Sequence, residues 1–335
     1  MAVPCEKIGI MIQYDVNGVP WLEPKHLDLN AIARDIEEND SDHAAAKYSL
    51  SPTEWKEALE GILLECEKGR ISCSSKEVIN ALVNAILARY ALCFPSYGTA
   101  PELHDVHRLI TKTPPNIAAA QKIIFAAVMC PRIRALQLVG RFMKLSPFNE
   151  FAYLIDAATL CFYRGNIPST FMTIIPVVEG ILLRWQGYPG AIAKKPSFKK
   201  TLKFVRESPK RQPMPFLILF FQSWLQTAES ILTNHLYHDT SKGPSFNHFN
   251  RHLALHLFED QKFATRENGI RAFLLIDVLS DLFICENHLK DPRWDTKQDE
   301  ESPHIKAYND ALLSQTYRNQ PERILGKTHV KCKDV

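Results

Sequence analysis

The chain has 335 residues, of which 46% are hydrophobic and 23% are charged. This mixture excludes a largely disordered protein, and the length allows two domains with sizeable cores. The net charge of +3 is too small for bulk electrostatics alone to indicate a nucleic-acid-binding protein.

The cysteines and the N-terminus indicate a cytoplasmic protein. The eight cysteines are scattered without a Cys-x-x-Cys pair, so we expect reduced thiols rather than a disulfide framework or a zinc knuckle. The first residues lack a basic segment followed by an apolar core, so we expect no signal peptide. The apolar runs 174–183 and 216–221 are shorter than the ~20 residues of a membrane span, so we expect no membrane contact.

The N-terminal part of the chain is predicted to be helical after a short β-hairpin. Residues 5–22 mix β-branched and aromatic residues around Asn17-Gly18, which is typical of a hairpin turn. Ser51-Pro52 and Ser75 each precede apolar residues at helical spacing. Further helices are predicted over residues 117–128, 133–143 and 150–163.

A turn cluster at residues 164–168 is predicted to separate two helical domains. Further helices are predicted over residues 169–185, 216–237, 247–258 and 266–287. The fold class is therefore all-α, with a helical domain at 1–165, a second helical bundle at 166–290 and a polar tail at 291–335. We expect the tail to be partly ordered, because its residues have little periodicity.

The most basic stretch of the chain runs from Lys194 to Arg211 and contains one acid, Glu207. Such a stretch would attract a polyanion, and Lys199, Lys200 and Lys203 are its candidate RNA-binding residues. A solvated helix face explains the same pattern equally well.

Residues 246–256 carry the pattern that most strongly indicates chemistry. Arg251 is followed by the polar residue His252 and, after three more residues, by His256. An RNA strand supplies its own nucleophile, the ribose 2′-hydroxyl, and its cleavage needs proton transfer and a cation for the developing charge on the phosphate. Neutral His256 suits the proton transfer, and the guanidinium of Arg251 suits the phosphate.

A metal site is the alternative for these histidines. His252 and His256 are four residues apart and would share a helix face, as a two-histidine ligand pair does. However, no glutamate lies between them as the metalloprotease pattern requires, and Arg251 would place a positive charge beside the cation. We therefore expect no metal and no other cofactor.

The arrangement of an arginine, a polar residue, three further residues and a histidine resembles the signature of the HEPN superfamily of small α-helical domains. Asn250-Arg251-His252 resembles the start of the helix that carries the signature. Residues 176–182, which include Glu179, resemble the opening helix, and Asn268 with Arg271 resembles the start of the closing helix. The resemblance covers residues 168–288.

The resemblance implies a dimeric, metal-independent endoribonuclease whose products end in 2′,3′-cyclic phosphate and 5′-hydroxyl groups. Arg251 and His256 would be the catalytic pair, and His252 would orient the phosphate or the partner histidine. Asn250 would support the motif, and Glu179 would hold Arg251. Glu179 lies in an otherwise apolar stretch, where a carboxylate without a cationic partner would be costly.

Three functions follow from these observations. The first is a ribonuclease of the HEPN type, whose N-terminal 165 residues would sense, regulate or select the substrate, with a regulatory protein as a further partner. Such architectures suit toxins of stress response or antiviral defence. The second is a non-catalytic helical module that binds a partner or a nucleotide, and the third is a hydrolase with a histidine-bound metal.

Overall fold

The computed structural model describes residues 3–5, 10–14, 20–22, 75–190, 194–208, 218–239, 241, 246–256, 260–287 and 289–316. The helix start predicted at Ser51-Pro52 lies outside these residues.

Three short strands lie at the N-terminus, where we predicted a hairpin over residues 5–22. They are β1 (Val3–Cys5), β2 (Ile10–Tyr14) and β3 (Pro20–Leu22). β2 pairs with both neighbours in antiparallel register, with Ile12 opposite Val3 on one side and Leu22 on the other.

The chain described from residue 75 onwards is helical, which confirms the all-α class. The helices are α1 (Ser75–Leu87), α2 (Ala100–Ile110), α3 (Ile117–Val128), α4 (Pro131–Gln137), α5 (Ala152–Tyr163), α6 (Ile167–Trp185), α7 (Phe198–Arg206), α8 (Ile218–Ile231), α9 (Arg251–His256), α10 (Asp260–Phe263), α11 (Arg266–Glu286) and α12 (Gln298–Thr316). Helices α4 and α8 each continue into a π-helical turn, Leu138–Phe142 and Leu232–Leu236 respectively. Short 3₁₀ turns occur at Ala88–Tyr90, Phe148–Phe151, Phe246–His248 and Pro292–Asp295.

Local sequence explains several helix boundaries. α2 begins with a capping box, in which Thr99 Oγ1 accepts from the backbone of Glu102 and Glu102 Oε2 accepts from the backbone of Thr99. α6 begins two residues earlier than predicted because Asn166 Oδ1 caps it, accepting from the Ser169 N–H at 3.3 Å. Gly165 before it has φ +81°, so the predicted turn cluster separates α5 from α6.

The chain divides into two units, each built from three segments. The first contains residues Met1–Phe125, Ser197–His235 and Asp281–Lys290, and the second contains Ala126–Pro196, Leu236–Ser280 and Asp291–Val335. In the first unit, α1 packs against α2 and α8. The functional division at residues 165 and 290 stays a prediction, because compactness does not identify the segment that carries a function.

The core of the second unit contains a group of phenylalanines that connects α5, α6 and the segment before α9. Phe171 of α6 is fully buried, with ring centroids 6.0 Å from Phe249 and 5.6 Å from Phe263. Phe162 of α5 meets Phe273 of α11 edge to face, with centroids 6.2 Å apart. Phe249 lies two residues before Arg251 and therefore packs the start of α9 against α6, the helix that carries Glu179.

The polar segment after residue 290 includes a packed helix. Tyr308 of α12 is fully buried, and its hydroxyl donates to Asp156 Oδ1 of α5 at 2.6 Å. Burial and the neighbouring carboxylate raise the pKa of Tyr308. A helix can pack on an existing surface through only a few apolar residues. The apolar periodicity of this segment is therefore weak, and the sequence did not predict α12. Residues 317–335 lie outside the described part.

Helix α6 is long and apolar enough to cross a membrane by length and composition. The helix has 19 residues and is longer than the apolar run 174–183, from which the sequence predicted no membrane span. Of its most apolar window, 44% is buried, and Phe171, Ile174 and Val178 are completely enclosed within the second unit. Core helices of water-soluble proteins share this combination of properties.

Candidate functional site

Asn250 fixes the start of the helix that presents Arg251. Its side chain is fully buried, and Oδ1 accepts from the backbone N–H groups of His252 at 2.7 Å and Leu253 at 3.4 Å. Nδ2 donates to the carbonyl of His238 at 2.8 Å. Asn250 is thus the N-cap of α9, and Arg251 is its first helical residue.

The residues before Asn250 cannot continue this helix towards the N-terminus. Asn247 and His248 have φ of 50° and 55°, in the left-handed region. The predicted start at Asn247 was therefore wrong, and α9 begins four residues later. Asn268 Nδ2 donates to the Asn247 carbonyl at 2.8 Å and holds this bend in place.

Residues at the start of α11 support the same bend. Asn268 is fully buried, and its Oδ1 accepts from Nη1 of Arg271 at 3.1 Å. The guanidinium of Arg271 lies 5.2 Å from the centroid of the Phe246 ring. Burial lowers the pKa of Arg271 to about 10, against the opposing effect of Glu267, so this residue remains a cation at neutral pH.

Glu179 lies between two cations. Its Oε2 is 2.8 Å from Nε of Arg251, an ion pair without the alignment of a hydrogen bond. Its Oε1 accepts a hydrogen bond from Nζ of Lys195. The contact between Glu179 and Arg251 is thus the one that the HEPN resemblance implies. One negatively charged carboxylate contacts two positively charged groups, so the three groups together carry a net charge of +1.

The guanidinium of Arg251 lies over the face of the Tyr237 ring. The ring centroid is 5.4 Å from Cζ of Arg251, within the range of a cation–π contact. Burial and the Glu179 carboxylate raise the pKa of the Tyr237 hydroxyl, while Arg251 lowers it, and the net shift is upward. The phenol therefore stays protonated at neutral pH.

A half-open depression of about 320 Å³ lies beside these groups. One part of its lining is charged and contains Glu179, Lys195 and Arg251. The other part belongs to α6 and is formed by Ile175, Pro176, Gly180 and Leu183. The side chain of Lys195 is 53% exposed, whereas those of Arg251 and Glu179 are 22% and 18% exposed. A solute would therefore reach Lys195 before the other two groups.

The two histidines of the motif differ in what the structure describes. His252 is the second residue of α9 and its side chain is partly exposed. The backbone of His256 closes α9, but its side chain lies outside the described residues. The pairing of Arg251 with His256 therefore stays a prediction.

The predicted RNA-binding lysines form the outer face of α7 in the first unit. Lys199, Lys200 and Lys203 are exposed, while Thr201 and Leu202 are buried. Lys203 Nζ lies 3.7 Å from the Glu207 carboxylate, which offsets part of its charge. The geometry is that of an amphipathic helix with a basic solvent face, and an RNA-binding role stays a prediction.

Among the residues that the structure describes, no group of three or more histidine, cysteine, aspartate or glutamate side chains is placed to hold a metal ion. The side chain of His256, half of the possible ligand pair with His252, is not among them.

Sequence reasoning did not select Lys195 or Tyr237. Lys195 lies within the basic stretch, but charge density alone favours Lys199, Lys200 and Lys203 equally. Tyr237 lies at the polar end of an apolar helix, which is typical of a surface position. No local pattern reveals either contact, because both depend on where α6 and α9 are placed.

Comparison with known proteins identifies no relative, since no family model, curated protein or solved structure matches the chain.

Proposed function

We propose that this chain is a metal-independent endoribonuclease of the HEPN type. The observation that carries the proposal is the ion pair between Glu179 and Arg251 at the edge of an open depression. It joins two segments that resemble different helices of that family and are separated by about 70 residues of sequence. The apolar stretch around Glu179 favours a cationic partner for its carboxylate, and the HEPN resemblance implies that this partner is Arg251.

The proposed reaction uses the RNA as its own nucleophile. The ribose 2′-oxygen attacks the adjacent phosphorus while His256, as a base, takes the hydroxyl proton. The bond from phosphorus to the 5′-oxygen breaks, and an acid returns a proton to that oxygen. The products are a 2′,3′-cyclic phosphate and a 5′-hydroxyl. Arg251 stabilises the charge on the phosphate oxygens, and His252 orients the phosphate.

A homodimer supplies the second proton-transfer group in this proposal. Arg251 and His256 are five residues apart on α9, which places them about 140° apart around a regular helix axis. One helix therefore presents the two groups in different directions. Two copies of the motif that meet across a helix interface would bring an arginine and a histidine from each protomer to one phosphate, so that one histidine acts as the base and the other as the acid.

The remaining parts of the proposal concern substrate and setting. Lys199, Lys200 and Lys203 would attract the RNA backbone, and the N-terminal 165 residues would sense, regulate or select the substrate. A regulatory protein would be a further partner. A cytoplasmic toxin of stress response or antiviral defence is the biological role that fits such an enzyme. That role rests on analogy with the family.

A second candidate function is a non-catalytic module that binds a partner or a nucleotide. It is favoured by Glu179, whose carboxylate contacts both cations and reduces the charge available to a substrate. In this case the ion pair is structural and RNA is not cleaved.

Incubation of the purified chain with a mixed RNA pool in excess EDTA separates the two functions. We expect cleavage to persist with the chelator, and His256→Ala to lower its rate by ~10²–10⁴-fold with an almost unchanged melting temperature. His104→Ala, which changes an exposed histidine of α2, serves as the matched control and should keep the wild-type rate.

Mapping the fragment ends tests the chemistry itself. The proposal requires 2′,3′-cyclic phosphate and 5′-hydroxyl ends, and 5′-phosphate ends would contradict it. Absence of cleavage from every RNA pool, together with saturable binding of a partner, would establish the non-catalytic module instead.

A further inference from the structure

We propose that the depression beside α6 is a phosphate-binding subsite in which Lys195 and Arg251 bind one phosphate group of the ligand, and the phosphate replaces the carboxylate of Glu179 at Lys195. The identity of the ligand as RNA rests on the proposed function. The recognition of a phosphate group rests on the charged groups themselves.

The charges in the depression favour an anion with several oxygens. Lys195 and Arg251 each make a contact with a different oxygen of the same carboxylate, so they converge on one small anionic group. A phosphate offers oxygens in the same way and can accept from both cations at once. The contact of Arg251 with Glu179 uses Nε, and a guanidinium has a second edge with two terminal amino groups.

Glu179 acts here as a resident anion that competes with the ligand. Lys195 is the more exposed cation, and its contact with Glu179 is the one that solvent reaches. An exchange of this contact for a phosphate costs little, because exposed ion pairs contribute only ~0–1 kcal/mol. The ion pair of Glu179 and Arg251 is less exposed to solvent and is therefore harder to exchange. It keeps the guanidinium in place.

The uncharged wall suits the part of the ligand that is attached to the phosphate. Pro176 is exposed and has no backbone N–H, and Leu183 is partly exposed. The volume of about 320 Å³ is at the lower end of ligand pockets, which span ~300–1,000 Å³. It corresponds to one nucleotide rather than to a folded RNA element.

Binding to the full chain tests the subsite without cleavage. The probe is a fluorescein-labelled 2′-O-methyl RNA tetramer, whose blocked 2′-oxygen prevents strand scission, and its affinity is measured by fluorescence anisotropy. Inorganic phosphate, added as a competitor and titrated alone by calorimetry, distinguishes a free phosphate from a phosphodiester as the ligand.

Four variants have different expected effects. Lys195→Gln should weaken binding of the phosphate group by about fivefold, the upper end of the range for an exposed ion pair, and Lys195→Arg should restore it. Lys194→Gln removes the same charge one residue away, outside the lining, and should change the affinity by less than about twofold, because an exposed charge acts only weakly through water on a group that it does not contact. Glu179→Gln should tighten binding by about tenfold, because it removes the competing anion.

The opposite results would overturn the subsite. They are equal effects of the Lys194 and Lys195 variants, weaker binding by Glu179→Gln, or no saturable binding of either probe by the wild-type chain. A purely structural ion pair predicts weaker binding in Glu179→Gln, since it would lose the support of Arg251.

Kinetics separates this inference from the proposed function. If RNA is cleaved, Lys195→Gln should raise KM with little change in kcat, whereas His256→Ala should lower kcat. Cleavage with an unchanged KM in Lys195→Gln refutes the subsite alone. Binding that depends on Lys195 without any cleavage refutes the ribonuclease and leaves the phosphate subsite standing.

Discussion

Replacement of Asn268 by alanine tests whether the bend before Arg251 is held by a buried polar network. Asn268 is fully buried and makes three side-chain hydrogen bonds, to the carbonyls of Asn247 and Phe263 and from Arg271. These bonds are not equivalent. The Phe263 carbonyl also accepts from the N–H of Thr265 at 2.9 Å, and Asn247 is exposed, so water can replace its lost donor.

The dominant loss is therefore at Arg271, a fully buried cation that gives up a charge-assisted hydrogen bond. Such a loss costs ~1.5–3 kcal/mol, and the weaker terms bring the total to about 2–4 kcal/mol of the free energy of unfolding. Equilibrium urea unfolding followed by far-UV circular dichroism measures this quantity.

Asn234→Ala is the matched control. Asn234 is exposed and donates from Nδ2 to Ser230 Oγ at 3.1 Å. Its loss should change the free energy of unfolding by less than about 0.5 kcal/mol. If Asn268→Ala costs as little as this control, the polar network does not hold the bend and the argument from buried hydrogen bonds is refuted.

Three further substitutions probe ion pairs of the structure by urea unfolding. Asp277→Ala removes the buried carboxylate that pairs with the guanidinium of Arg134, which is only 2% exposed, and should destabilise the chain by ~3–5 kcal/mol. Asp105→Ala breaks an exposed pair and should cost less than about 0.5 kcal/mol, and equal costs would contradict the role of burial. Burial raises the pKa of Asp291, but hydrogen bonds from its two arginine partners, including Arg141, outweigh it and lower the pKa well below 3.8. Asp291→Asn should therefore cost about 2 kcal/mol at pH 7, and less as the pH falls below 3.8, because the carboxylate is then protonated in the unfolded chain while it stays ionised in the fold; a cost independent of pH would contradict this.

The sequence predicted most helices of the described chain because their signals are local. The repeat of apolar residues predicted α3 at residues 117–128 and α11 at 266–287, close to Ile117–Val128 and Arg266–Glu286 in the structure. The turn cluster at 164–168 marked the end of α5. Each of these signals lies within about one helical turn of the boundary that it predicts.

The sequence did not predict the start of α9, although Asn250 is of a residue type that favours the N-cap position. Asn247 and Asn250 are both good N-cap residues, and either could begin a helix. The choice depends on Asn268, which is 21 residues away from Asn247 in sequence and holds it in a left-handed conformation. Helical periodicity contains no information about such a partner.

The candidate site shows the same division between local and distant information. The sequence by itself determined the all-α class, the order of the helices and the presence of an arginine, two histidines and an isolated glutamate. Only the tertiary structure decided that Glu179 contacts both Arg251 and Lys195, and that Tyr237 lies against the guanidinium. The physical reason is that residue type and spacing set helix formation locally, whereas a side chain acquires its partners only when separate helices pack together.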